Sequence, residues 1–79
     1  MKIKFVDVGR DKWCGIIEKP DTDNPETIAE YAYKEALKHL ATRYPDTIYD
    51  SDKNYGRIES GYHLAGTFSV VKENGKNET

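Results

Sequence analysis

Residues 24–45 read NPETIAEYAYKEALKHLATRYP and decide the fold, because this stretch contains a helix start, an amphipathic face and a helix stop. The Asn24 side chain can accept hydrogen bonds from amides of the first helical turn. Pro25 suits the first helical position, where its missing N–H would have no partner. Pro45 cannot continue the pattern. We therefore predict a helix from Pro25 to Tyr44.

The apolar residues of this helix recur at the spacing of one helical face. Alanines at 32 and 36 would let the helix axis lie close to a sheet. On the opposite side, Glu30 and Lys34 have the spacing of an i,i+4 ion pair. The predicted buried face consists of Ala29, Ala32, Tyr33, Ala36, Leu37, Leu40 and Tyr44.

The chain before the helix predicts a hairpin. Residues 3–8 and 13–18 are rich in β-branched, aromatic and other apolar side chains, and they flank turn-forming residues at 9–12. Val6 and Val8 share a parity with Lys4, so we expect them on the sheet face that the helix does not cover.

The chain after the helix predicts a loop and then further strands. Residues 45–56 are rich in Asp, Asn, Ser and Gly, so we expect a loop of twelve residues. Residues 57–60 and 62–72 show strand alternation, with Gly61 between them. The apolar positions of this alternation are Ile58, Tyr62, Leu64, Phe68 and Val70.

These patterns predict an α+β fold, in which one amphipathic helix packs on one face of a three- to four-stranded antiparallel sheet. The expected element order is ββαββ, or ββαβ if the last strand is continuous. A chain of 79 residues is sufficient for one domain, which we place at residues 1–72. Residues 73–79 contain no apolar side chain and are expected to form a disordered tail.

Composition indicates a cytoplasmic protein. No apolar run approaches the ~20 residues that a membrane-spanning helix requires. Cys14 is the single cysteine, so the chain has no internal disulfide framework. We expect Cys14 to be a small buried apolar residue in a reducing compartment.

The motifs do not indicate an enzyme or a metal site. Residues 50–54, DSDKN, resemble the start of an EF-hand loop, but Gly61 stands at the twelfth position, where that family has a bidentate Glu. We therefore interpret the segment as an Asx-rich turn and expect no metal. Cys14, His39 and His63 lack the spacing of a nucleophile and its base, and we expect neither catalysis nor a cofactor.

Tyrosine and aspartate concentrate where a partner could bind. The chain has six tyrosines, and aromatic residues among acids are typical of protein-binding surfaces. We expect Tyr31 to be exposed on the polar side of the helix. The predicted partner-binding residues are Asp46, Tyr49, Asp50, Asp52 and Tyr55 of the loop, Asp21 and Asp23 of a second acidic patch, and Tyr31.

We therefore expect a small non-catalytic protein-binding or inhibitor protein that masks a protein partner through an acidic, tyrosine-bearing surface. In composition the chain is similar to phage and mobile-element proteins that inhibit host nucleic-acid machines, including anti-CRISPR proteins. That resemblance implies a nucleic-acid-binding protein as partner, with carboxylates standing in for phosphates.

Two alternatives remain open. The chain could instead be a small nucleic-acid-binding module, although its net charge of −2 does not favour this class. A homodimer is also expected, because one helix leaves one sheet face and the sheet edges uncovered. The residues of the nucleic-acid alternative are Lys2, Lys4, Arg10, Lys12 and Trp13 of the basic N-terminal hairpin.

Overall fold

A computed structural model describes residues 1–40, 44–61 and 63–72. All of the strands belong to one antiparallel sheet in the order β2-β1-β5-β4-β3, so β5 is its central strand. The elements are β1 (Lys2–Val8), β2 (Trp13–Glu18), α1 (Pro25–Leu37), β3 (Asp46–Asp50), β4 (Tyr55–Ser60) and β5 (His63–Val71).

This architecture confirms the α+β class but corrects the strand count. The sheet has five strands rather than three or four, and the element order is ββαβββ. The additional strand is β3, which lies inside the predicted loop of residues 45–56. The three residues at its centre, Thr47, Ile48 and Tyr49, have side chains that favour strands, and they pair with β4. The aspartates at both ends of β3 are typical of loops, so the sequence pattern favoured a loop there.

The start of α1 is as predicted. The Asn24 side-chain oxygen accepts hydrogen bonds from the amides of Glu26 at 2.9 Å and Thr27 at 3.4 Å. The predicted end at Tyr44 is wrong, because the helix stops at Leu37. A Cβ at Gly9 would overlap the His39 carbonyl oxygen, so the β1–β2 turn packs against the chain just beyond the last helical turn.

The buried face of α1 is centred on Ile28, Ala32 and Ala36, which are almost fully buried. The predicted face included both alanines but extended too far along the chain. Leu37 is 36% exposed and Tyr44 is 81% exposed, since the chain has left the helix before position 44.

An irregularity in β1 changes which residues reach the core. Ile3 and Phe5 are buried on the helix side, and the pairing with β2 then shifts between Phe5 and Val8. Asp7 lies within this shift and has a φ of 54°, in the left-handed region. Val8 therefore joins the core, and the expectation that it would lie on the uncovered face with Val6 is wrong.

A second shift of register lies between β4 and β5, at Ile58 and Glu59. Beyond it Leu64 pairs with Glu59 and is 62% exposed, so its predicted place among the buried positions is wrong. Tyr62 and the predicted tail at 73–79 lie outside the described residues.

The core lies between α1 and one face of the sheet. Aromatic rings cross it in contact, with centroid separations of 5.4 Å for Trp13 and Phe5, 6.0 Å for Phe5 and Phe68, and 5.9 Å for Phe68 and Tyr49. A Cβ at Gly56 would overlap the Phe68 ring, so this glycine makes room for the aromatic row. The buried apolar residues are Met1, Ile3, Phe5, Val8, Ile28, Ala32, Ala36, Ile58, Phe68 and Val70.

Candidate interaction surface

The sheet face opposite α1, here called the open face, is covered by no helix or strand of the described residues. Eight large apolar side chains are exposed in this part of the chain. Six of them lie on the open face, five by strand alternation and Leu64 through its pairing with Glu59 beyond the register shift. The other two are Leu37 and Tyr44. The six on the open face are Val6, Ile16, Ile48, Tyr55, Leu64 and Val71.

The strand register places the open-face side chains in rows that cross the sheet. One row runs from β2 to β3 through Ile16, Lys4, Ser69, Tyr55 and Asp50. Its β1 side carries a base and its β3 end carries an acid, with small and apolar residues between them. The next row runs through Val6, Thr67, Arg57 and Ile48.

Charge on the open face is therefore polarised. Lys2 and Lys4 lie on β1, with Glu18 of β2 opposite Lys2, whereas Asp46 and Asp50 lie on β3 at the other edge. Between them, Arg57 Nε lies 3.3 Å from the Glu59 carboxylate on the same strand. That ion pair offsets two charges locally and leaves the β3 edge acidic.

Strands β3 and β4 with their turn, residues 46–60, form a unit here called the acidic hairpin. Asp50 and Tyr55 are directly opposite each other, and the Asp50 carboxylate accepts a hydrogen bond from the Asp52 amide at 3.0 Å. The hairpin thus brings four of the predicted partner-binding residues together in exposed positions: Asp46, Asp50, Asp52 and Tyr55.

Tyr49 belongs to the same hairpin but faces the core. Its ring stacks on Phe68 with an interplanar angle of 15°, and its hydroxyl donates a hydrogen bond to the Asn54 side chain at 3.1 Å. Burial raises the pKa of Tyr49 above the usual 10.0, and the charge of nearby Lys72 partly opposes that rise. The half-buried Tyr49 positions the hairpin and presents little of its ring to a partner.

The second predicted patch is held by ion pairs near the start of α1. The terminal amine of Met1 pairs with the Asp21 carboxylate. Lys72 Nζ lies 2.6 Å from Asp23, and this hydrogen bond raises the pKa of Lys72 above 10.5. These carboxylates anchor the connector that precedes the helix.

Tyr31 is not the freely exposed residue that was expected. It is half-buried, packs against the core and has Lys19 Nζ 5.3 Å from its ring centroid. The helix face is rotated toward Ile28, and this rotation moves Tyr31 to the edge of the core.

The basic residues of the N-terminal hairpin do not form one platform with Trp13. The indole stacks on the His39 ring at 3.8 Å and also contacts Phe5, so it is engaged inside the fold. Lys4 lies on the open face, whereas Arg10 is in the β1–β2 turn. A stacking surface for bases needs an accessible ring beside the cations.

Cys14 is exposed, which corrects the expectation of a buried residue. It occupies the open-face parity of β2, and its sulfur accepts a hydrogen bond from the Asp7 amide at 3.4 Å. His63 is exposed and His39 stacks on Trp13, so the three residues are dispersed. Residues 1–40, 44–61 and 63–72 contain no group of three or more His, Cys, Asp or Glu side chains able to hold a metal.

Among the described residues, α1 is too short and too polar to cross a membrane. No protein-family model matches the chain, and no curated protein or solved structure shows significant similarity to it. The assignment of a function must therefore depend on the surface itself.

Sequence reasoning missed the apolar part of this surface. Ile48 was hidden inside a predicted loop, and Leu64 was expected in the core. The usable signal was Thr47-Ile48-Tyr49, three residues with high strand propensity. A strand there would have placed Ile48 and the flanking Asp46 and Asp50 on one face.

Proposed function

We propose that this chain is a non-catalytic binding protein that masks a basic surface of a partner protein with its acidic hairpin. The observation that supports this most is the exposure of Asp46, Asp50 and Asp52 around Ile48 and Tyr55. Carboxylates around apolar anchors provide the two components of a specific protein interface.

The electrostatic balance of the hairpin supports a cationic partner. Its bases are Lys53 and Arg57, and Arg57 is already paired with Glu59. The acids on β3 and in the turn therefore face solvent with little compensation. Such an arrangement accelerates association with a positively charged groove and weakens as salt is added.

A groove that normally holds phosphates is the best match to these carboxylates. The chain would then act as a phosphate mimic that inhibits a nucleic-acid-binding protein, in the manner of phage-encoded or anti-CRISPR inhibitors. Tyr55, 45% exposed, and Ile48, 43% exposed, would supply the apolar contact at the centre. The exposed thiol of Cys14 is compatible with a cytoplasmic site of action.

The experiment is affinity purification from nuclease-treated lysate at low salt with three versions of the chain. The test variant carries Asp46→Asn, Asp50→Asn and Asp52→Asn. The control variant removes three other exposed acids by Asp11→Asn, Glu26→Gln and Glu30→Gln, so that both variants change the net charge equally. We expect the wild type and the control to retain one stoichiometric partner that the test variant loses.

Competition and gel-shift measurements separate this function from its rival. Heparin or DNA should displace the partner, because both would occupy the groove that the carboxylates fill. Equal recovery by the test and control variants, or no stoichiometric partner, would contradict the proposal. Binding of the isolated chain to nucleic acid tighter than about 10 µM, with a steep salt slope, would favour the nucleic-acid-binding module instead.

A further inference from the structure

We infer that the open face is the contact surface of a symmetric, face-to-face homodimer. The occupant of this face is a second copy of the chain, with its strands aligned roughly along those of the first. Three independent features of the face support this contact: its area, its charge distribution and a depression in its surface.

The area is adequate for a specific contact. Five strands about 4.8 Å apart and about six residues long give a face of roughly 500 Å², or about 1,000 Å² for two copies. That equals the threshold of about 1,000 Å² for a biological interface and suits a weak, reversible dimer. The six apolar side chains are also spread across all five strands, so that an aligned sheet covers them together.

Two twofold axes (dyads) in the plane between the sheets would align the strands of the two copies. The charges on the open face favour one of them. A dyad perpendicular to the strands places β1 over its own copy and β3 over its own copy, which brings like charges together. A dyad parallel to the strands, over the central β5, places β1 over β4 and β2 over β3. Lys4 of one copy then lies over Tyr55 of the other, beside Asp50 in the same row.

The second arrangement brings opposite charges together at Lys4 and Asp50. The contact repeats twice, so both lysines meet an acid. At the centre of the dyad, Ser69 and Thr67 are small and let the sheets approach, whereas Leu64 and Val71 add apolar contacts toward the two ends of β5. Arg57 is already paired with Glu59, which reduces the cost of burying its charge.

A depression of about 290 Å³ on the open face could accept Ile48 of the second copy. Its open-face lining is Lys4, Val6, Cys14 and Ile16, at the β1–β2 side. In the same dyad arrangement, Ile48 of the second copy lies over β2 at the level of Cys14. Ile48 would thus fill a depression whose lining is mainly apolar.

This dimer does not depend on the proposed function, but it uses part of the same surface. Asp50 and Tyr55 contact the second copy in the dimer and contact the partner in the proposed complex. The two assemblies therefore exclude each other, and a partner must separate the copies before it binds.

The test uses the purified full chain, so its result is independent of any partner. Light scattering from micromolar to millimolar concentration should show the mass rising from one 9.0 kDa chain to twice that value. Lys4→Glu should weaken dimerisation by at least about tenfold, since it places two acids together at each contact. Lys34→Glu makes the same charge change on the exposed side of α1, away from the open face, and should leave dimerisation unchanged.

Mixing two variants tests the alignment itself. Asp50→Lys should also weaken dimerisation, because Lys4 would then face a lysine. A mixture of Lys4→Glu and Asp50→Lys chains should recover a dimer, since both contacts in that heterodimer join opposite charges. Circular dichroism melts establish that each variant is folded.

Three results would overturn the inference. The first is a wild-type mass of one chain at millimolar concentration. The second is a dimer that Lys4→Glu does not weaken. The third is a mixture of two folded, monomeric variants that stays monomeric.

Discussion

The two faces of the sheet are made by the same strands, yet they are built differently. On the covered face, Ile3, Phe5 and Phe68 are at most 1% exposed and belong to one core cluster with the buried residues of α1. On the open face, Lys4, Thr67 and Ser69 alternate with them along the same strands. The covered face provides stability through close packing, whereas the open face combines apolar groups and charges in a pattern suited to recognition.

The largest expected effect is the difference in stability loss between truncating a side chain on the covered face and one on the open face. Phe68→Ala should lower the free energy of unfolding by about 3–5 kcal/mol, because it empties the centre of the aromatic row. Leu64→Ala, on the same strand but 62% exposed, should change it by less than about 0.5 kcal/mol. Urea denaturation followed by circular dichroism measures both.

Equal losses at these two positions would show that the open face contributes to stability as the covered face does. The measurement belongs at low micromolar concentration, where self-association contributes least.

A second prediction concerns the closeness of the helix to the covered face. Ala36 is fully buried, so Ala36→Leu should overpack the contact between α1 and the sheet. The free energy of unfolding should fall by about 1–3 kcal/mol. Lys34→Leu introduces the same side chain on the exposed side of α1 and should be nearly neutral. Thermal melts of the two variants should therefore differ by several degrees. An unchanged melting temperature for Ala36→Leu would mean that the helix lies farther from the sheet.

The covered face could be predicted from the sequence because its pattern is local. Asn24 and Pro25 specify the helix start, and the alanine spacing identifies two of its three buried residues. The helix end was missed because the packing of Gly9 against His39 is a tertiary contact. Likewise, the register shift in β1 that buries Val8 depends on how β1 pairs with β2, and periodicity alone cannot show it.

The open face could be predicted only in part. Binding by the acids and Tyr55 of the hairpin stays a prediction, but their exposure was predicted, because aspartates and tyrosine in a turn-rich segment are visible in composition. Their arrangement was not, since it requires the β3–β4 register that pairs Asp50 with Tyr55. The apolar side chain of Ile48 was overlooked because neighbouring turn-forming residues outweighed the strand propensity of one short segment.

A third prediction tests how the helix is held over its face. Asn24→Ala removes the acceptor for two first-turn amides and should cost about 1 kcal/mol. Asn24→Asp keeps an acceptor oxygen and should retain most of the stability. Urea denaturation of both variants measures the difference. If both variants lose the same free energy of unfolding, the loss does not arise from the helix cap.

The smallest expected effect is a loss of stability at alkaline pH, and it arises on the covered side of the sheet. Burial raises the pKa of Tyr49 above 10.0, and the hydrogen bond that Lys72 donates to Asp23 raises the pKa of Lys72 above 10.5. In both cases the folded state holds its proton more tightly than the unfolded chain does. Their contribution is therefore complete below about pH 10 and is lost as the pH rises through the folded-state values.

Urea denaturation in steps from pH 8 to about pH 11 should show this loss in the wild type. The Lys72–Asp23 pair is at the surface, where such pairs contribute about 0.2–1 kcal/mol, so the slope should be shallow. Tyr49→Phe with Asp23→Asn should flatten it, because Tyr49 is then absent and Lys72 loses the main cause of its raised pKa. Tyr49→Phe also removes the hydrogen bond to Asn54, which lowers stability at all pH values below the tyrosine titration and leaves the slope there unaffected. If the free energy of unfolding of the double variant falls with pH as steeply as that of the wild type, the alkaline loss arises from groups other than Tyr49 and Lys72.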